Sequence, residues 1–180
     1  MCATVRSPLR RVRRFGSARG WALHSSSLSL RSDSGANQLS FLGMNRTDLQ
    51  SLAHTRLDDG TVLLNAARYS GAYYMLGYSV ECALKAAVAK QIREHDFPDR
   101  QLILDSYTHD LSKLLKLSGL RDKFDSKHTS DPAFGVNWTT TKDWSETTRY
   151  STTITEVLAR DHTAITDPQS GVLPWVQTLW

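Results

Sequence analysis

From Met44 onward, apolar residues recur at steps of three and four and nowhere alternate with polar ones, so the pattern predicts helices and no strands. Between Arg46 and Ala67 the recurring positions are Leu49, Leu52, Ala53, Leu57, Leu64 and Ala67, an amphipathic helix ending near Arg68. Gly60 costs about 1 kcal/mol there relative to alanine and, following Asp58 and Asp59, offers a place to bend.

A second helix is expected from about Gly71 to Glu94, with Ser70 as its N-cap and the Phe97-Pro98-Asp99 turn as its stop. Leu76, Val80, Ala83, Leu84 and Ala87 give it a broad apolar face, small enough in places for a neighbouring helix to come close. At about 100° per residue, Tyr74, Tyr78, Glu81 and Lys85 fall within roughly 60° of one another on the opposite side. This helix therefore carries a stripe of rings and charges.

Pro98 to Tyr107 reads as a loop, and His109 to Leu117 as a short third helix with Thr108 as N-cap and Leu111, Leu114 and Leu115 facing inward. Between Ser118 and Asp143 the periodicity dissolves into a long connection holding Gly119, Pro132 and Gly135, with room for one helical turn at Leu120 to Phe124. Ser145 is placed to cap a late helix reaching Asp167-Pro168, with Ile154, Val157, Leu158 and Ile165 as its buried stripe. Gly171 to Trp180 closes the chain as a turn of helix packed on the rest. The fold expected is all-α, an antiparallel up-down bundle of four to five helices.

Composition adds little to this, since 180 residues with 40% hydrophobic and 22% charged content describe one ordinary domain with a core. Charge adds more. Residues 1–43 hold seven arginines against the single acid Asp33, so 15 basic and 17 acidic residues remain from Met44 onward. The net charge of +4 thus belongs to the first 43 residues, and the domain at 44–180 has no basic excess to recommend it as a nucleic-acid binder.

Three readings of residues 1–43 stay open: a disordered tail ahead of a true start at Met44, a mitochondrial transit peptide, or a basic arm for nucleic acid. Cys2 and Cys82 lie too far apart in context for a structural disulfide, and no Cys/His spacing suggests a metal. No apolar run approaches the roughly 20 residues needed to span a bilayer. A cytoplasmic protein is expected, or a mitochondrial one if the first 43 residues are a transit peptide.

The run Tyr69-Ser70-Gly71-Ala72-Tyr73-Tyr74-Met75-Leu76-Gly77-Tyr78-Ser79-Val80-Glu81-Cys82-Ala83-Leu84-Lys85-Ala86 resembles the HEPN domain family. Thr108-His109-Asp110-Leu111 with Leu114-Leu115, then Trp144 followed by Arg149-Tyr150, resemble bacterial members in the same order. The resemblance covers most of the chain from Met44 to its end. It implies a helical bundle, usually dimeric, that acts as a metal-independent RNase in defence or toxin-antitoxin systems or as a non-catalytic partner of a nucleotidyltransferase.

The nuclease members use an Arg followed, after four to six residues, by a His on a late helix, the His for proton transfer and the Arg for phosphate charge. Here Arg149 is suitably placed, but Ile154, Thr155 and Glu156 stand where the His is needed. Arg121 and His128 match the spacing literally, in the irregular connection, and are the candidate catalytic pair.

Glu81 and Lys85 are spaced for an ordinary i, i+4 ion pair, or for a buried pair that sets helix register. The alternative makes them part of a polar cleft with Tyr74, Tyr78, His109, Asp110, Arg149 and Tyr150, in which rings stack on a base and Arg149 holds a phosphate. His109-Asp110 has the form of paired metal ligands but lacks a second cluster, and Asp110 suits a helix start. Trp138, Trp144, Trp175 and Trp180 read as core or interface anchors. The function expected is binding of a nucleotide, RNA or partner protein by a homodimeric module without strong catalysis or cofactor; the alternative is a metal-independent endoribonuclease.

Overall fold

The computed structural model describes residues 44–93 and 97–180, so the readings of residues 1–43 lie outside the described residues. Eight α-helices and two 3₁₀ turns make up its regular structure, and no strand occurs among the described residues. The all-helical expectation stands.

Helix α1 (Arg46–Asn65) opens on a capping box, in which Asn45 Oδ1 accepts from the Asp48 N–H at 3.0 Å while Asp48 Oδ2 accepts from the Asn45 N–H at 3.1 Å. It runs antiparallel to α2 (Tyr69–Ala89), joined by a tight turn in which Ala67 adopts the left-handed region at φ 56°. Helix α1 runs unbroken through Gly60, which lets the helices touch, since a Cβ there would lie 2.8 Å from Leu76 Cγ. Ser70 is not the N-cap. Helix α2 begins two residues earlier than expected, at Tyr69 behind Arg68, and the Ser70 hydroxyl accepts instead from the Ile154 N–H at 3.3 Å.

Helix α2 is the axis of the molecule. Thirteen of its 21 residues are buried, and α1, α4, α7 and α8 all pack on it, so its two-faced sequence pattern becomes a nearly fully enclosed helix.

Helix α3 (Arg100–Ser106) lies where a loop was expected, started by Asp99 accepting from the Leu102 N–H at 2.8 Å. None of its residues is buried, so no apolar stripe marked it. Helix α4 (Leu111–Leu117) buries Leu111, Leu114 and Leu115 as expected, but Asp110 rather than Thr108 caps it, accepting from the Lys113 N–H at 3.0 Å. The Thr108 hydroxyl accepts from the Asp110 N–H instead.

The supposed irregular connection is two helices, α5 (Arg121–Ser130) and α6 (Pro132–Lys142). Helix α5 buries only Phe124 and is otherwise polar, so periodicity could not register it. Pro132 does not break structure; it occupies the first turn of α6, where a missing N–H is harmless, behind Asp131 as N-cap.

The late helix is also corrected. Ser145 starts only a 3₁₀ turn at Glu146–Tyr150, and α7 (Glu156–His162) begins afresh at Thr155 before a second 3₁₀ turn, Thr163–Thr166. Within the expected stripe Ile165 is fully buried, whereas Val157 and Leu158 are 68% and 40% exposed and Ala159 and His162 are buried in their place. The β-branched run Thr152-Thr153-Ile154-Thr155 disfavours a continuous helix by crowding each preceding turn. Helix α8 (Val172–Gln177) docks Val172, Leu173 and Val176 into the core, and Trp175 meets Phe134 and Phe124 with ring centroids 5.2 and 6.0 Å apart. No helix among the described residues is long and apolar enough to cross a membrane.

Candidate functional site

At the middle of α2, Glu81 is 1% exposed, a carboxylate inside the core. Such a group stays charged only when it is paired and hydrogen-bonded. Lys85, one turn on, places Nζ 2.9 Å from Glu81 Oε1, and His109 Nδ1 lies 3.0 Å from each carboxylate oxygen. A carboxylate can only accept, so the proton of this contact sits on Nδ1. The Glu81–Lys85 pair is therefore not an exposed helix pair; its acid is buried and tied through His109 to the turn before α4.

His109 stands at the edge of a cavity of about 420 Å³, with Asp110 and Ser112 on one side and Trp144, Ser145 and Glu146 on the other. This cavity forms because α4 starts at Asp110 just where α6 ends and the 3₁₀ turn begins. Lys142 also lines it, but its ammonium is held by Asp143 at 2.7 Å.

Trp144, 3% exposed, links the cavity to the stripe on α2. Its indole lies across Gly77, where a Cβ would come within 2.2 Å of Cδ1, so only glycine admits the ring. Its Nε1 has no hydrogen-bond partner among the described residues. The Tyr74 ring stacks on Trp144 at 6.0 Å and on Tyr78 at 5.8 Å, with interplanar angles of 28° and 20°.

The far end of this row meets the 3₁₀ turn. Arg149 lies over the Tyr150 ring at 4.9 Å, and hydrogen bonding and charge from the Tyr150 hydroxyl, then from Tyr74, hold its guanidinium still more firmly protonated than usual. Both Arg149 and Tyr150 are exposed. Tyr78 faces the other way, toward α1, where the Arg56 guanidinium sits 5.9 Å from its ring centroid. Burial, followed by the nearness of Cys82 and Glu81, raises the Tyr78 hydroxyl pKa, and burial pushes the Cys82 thiol up to about 12. That thiol is inert.

Of the residues expected to share a cleft, Glu81, Lys85, His109 and Asp110 form one group, and Tyr74, Arg149 and Tyr150 another, with Trp144 between them. Lys85 touches Glu81 but lines a different cavity, with Met44, Leu49, Val88 and Ile92. Arg121 and His128 belong to neither group. Both are on α5, where Arg121 Nε bonds Asp125 at 2.9 Å and the His128 ring packs near Phe124 and against Gly135.

The sequence pattern missed Trp144 as a wall of the site, along with Ser112, Ser145 and Glu146. Trp144 falls between two helices, where no periodicity gives it a direction; Gly77, a turn above Glu81 on α2, was the available signal that a large ring crosses there. A somewhat larger cavity, about 520 Å³, lies between α3 and α4 against Leu104, Tyr107, Lys113 and Lys116, and holds no buried charge. Among the described residues no group of three or more His, Cys, Asp or Glu side chains is arranged to hold a metal. No family model, curated protein or solved structure matches this chain.

Proposed function

We propose that the chain is a HEPN-like module that binds a nucleotide, free or as a unit of RNA, along the row formed by His109, Trp144, Tyr74 and Arg149. The observation that carries this reading is the stacking of Tyr74 on Trp144, with a polar cavity at one end and an exposed guanidinium at the other. Rings offer stacking to any base, and a guanidinium matches phosphate in a planar fork. The resemblance to HEPN proteins adds a homodimer, and a nucleotidyltransferase as a partner, to the proposal.

The test is a titration of the purified protein with nucleoside monophosphates and a short single-stranded RNA, followed by calorimetry. Binding that weakens about tenfold or more in Arg149→Ala and in Tyr74→Ala supports the reading, because a charged or stacking contact is worth roughly 1–3 kcal/mol. No binding of any nucleotide or RNA overturns it.

A second reading, a metal-independent endoribonuclease, is favoured by one specific observation. Arg121 and His128 are on a helix after all, seven positions apart, which places them within about 20° on one face of α5. Cleavage of RNA in the presence of chelator, abolished by Arg121→Ala or His128→Ala, would establish this reading over the first.

A further inference from the structure

A second cavity lies between the start of α1, the end of α2 and α3, and we infer that it binds an aliphatic acid, with the alkyl chain along its apolar wall and the carboxylate on Lys85. This site is separate from the row of rings and does not rest on the nucleotide reading.

The cavity measures about 420 Å³, within the range of small-molecule sites, and is more enclosed than the one beside His109. Leu49 on α1, Val88 and Ala89 at the end of α2, Ile92 just beyond it and Ile103 on α3 form its wall. Helix α3 contributes Ile103 although none of its seven residues is buried. Its apolar side is thus turned to open space instead of to packed side chains, and an alkyl chain supplies the contacts missing there.

The polar groups around the cavity leave one place for a head group. The Ser106 hydroxyl donates to the Ile103 carbonyl at 2.7 Å, and Tyr107 is exposed on the rim. The Ala86, Val88 and Ala89 carbonyls that end α2 accept from the Lys90, Gln91 and Ile92 N–H groups. Lys85 is the one charged side chain among the lining residues. An ammonium has three donors, and Lys85 directs one at Glu81 Oε1, 2.9 Å away; the others have no partner among the described residues. A carboxylate oxygen accepts from them, whereas an amine head brings a like charge and no acceptor.

Titration calorimetry with hexanoate, octanoate and decanoate, each below its micelle concentration, tests this. One equivalent binds saturably, and affinity rises about fourfold for each added methylene, the change that burying one CH₂ implies. Decylamine, with the same chain as decanoate and a cationic head, binds about tenfold more weakly or less, in line with the loss of one charged hydrogen bond. Lys85→Met removes the ammonium but strands the buried Glu81, so two variants that leave the pair intact accompany it. Ala89→Phe fills the cavity, and Ile103→Glu sets a carboxylate in its wall, on a helix that buries nothing. Each weakens decanoate about tenfold or more, with the helical circular dichroism signal unchanged.

Failure of all three acids to bind saturably overturns the inference, and so does decylamine bound as tightly as decanoate. Decanoate binding that neither Ala89→Phe nor Ile103→Glu weakens overturns it too, since the acid then sits elsewhere. Sedimentation with phosphatidylglycerol vesicles separates a free acid from the acyl chains of a bilayer: capture by the vesicles without binding of any free acid overturns it as well.

Discussion

His109 Nδ1 lies 3.0 Å from both carboxylate oxygens of Glu81, so a residue on the turn before α4 is locked to the centre of α2 by a buried acid. Two segments 28 positions apart in sequence share one proton-bearing contact, and the cavity wall inherits its chemistry from it.

Removing that acid tests the arrangement directly. Glu81→Ala leaves Lys85 and His109 unpaired, but both keep access to water, with side chains 21% and 44% exposed. The cost therefore falls below the 3–5 kcal/mol of a fully buried pair, at about 2 kcal/mol, and lowers Tm by roughly 6–10 °C. Glu81→Gln costs less but frees the imidazole to carry its proton on either nitrogen. The ¹⁵N shifts of His109 report the change, and an unaltered Nδ1–H tautomer in that variant would contradict the fixing role given to Glu81.

Gly77 and Gly60 separate two kinds of close approach. A Cβ at Gly77 would meet the rigid Trp144 indole at 2.2 Å, whereas at Gly60 it would meet the movable Leu76 side chain at 2.8 Å and its backbone nitrogen at 3.1 Å. Gly77→Ala is expected to cost about 1–3 kcal/mol and to shift the Trp144 fluorescence, with nucleotide affinity falling alongside. Gly60→Ala loosens the α1–α2 contact without touching the site. Urea denaturation gives the stabilities, and a Gly77→Ala protein with unchanged fluorescence would remove Trp144 from the wall.

His162 is fully buried in α7, packed at a tilt of 35° against Tyr73 with ring centroids 4.4 Å apart, and neither ring nitrogen has a partner among the described residues. Burial alone lowers its pKa from 6.5 to about 4. The unfolded chain then binds a proton more readily than the folded one between those values. Stability from this residue is intact above pH 6.5, declines as pH falls toward about 4, and changes no further below that. Between pH 7 and pH 5 the loss is roughly 2 kcal/mol. His162→Leu should flatten the decline in urea midpoints over that interval, and an equally steep decline in the variant would assign the acid sensitivity to other groups.

Ala67 sits at φ 56° in the α1–α2 turn, where a Cβ crowds the backbone. Ala67→Gly is expected to stabilise the protein by about 0.5–1 kcal/mol, the reverse of the usual cost of introducing glycine. Thermal melts of the two proteins decide the sign, and a lower Tm for the glycine variant would rule out strain at this position.

The helices that turn a stripe of several leucines or alanines toward the core were legible in the sequence. Helices α1, α2 and α4 lie close to where periodicity placed them, because their contacts with the core repeat every turn. Helices α3 and α5 bury nothing or one phenylalanine, so their helicity rests on caps and on neighbours brought in from elsewhere. The late helix failed for the opposite reason: an apolar spacing was present at Val157 and Leu158, yet the segment is rotated so that Ala159 and His162 face inward.

What the sequence alone determined, then, is the helical class, the central place of α2 and the side-by-side location of Tyr74, Tyr78, Glu81 and Lys85 on one stripe. Those follow from 3.6 residues per turn and need no knowledge of the partner elements. Only the tertiary structure decided that Glu81 meets His109, that Trp144 lies over Gly77 beneath Tyr74, and that Tyr78 turns toward Arg56. Each of those contacts joins residues far apart in the chain, and their geometry depends on how closely helices approach and how they rotate about their axes. A one-dimensional pattern records which face is greasy; the meeting of two faces is set by packing volume, by glycines that permit contact and by the need of a buried charge to find its partner.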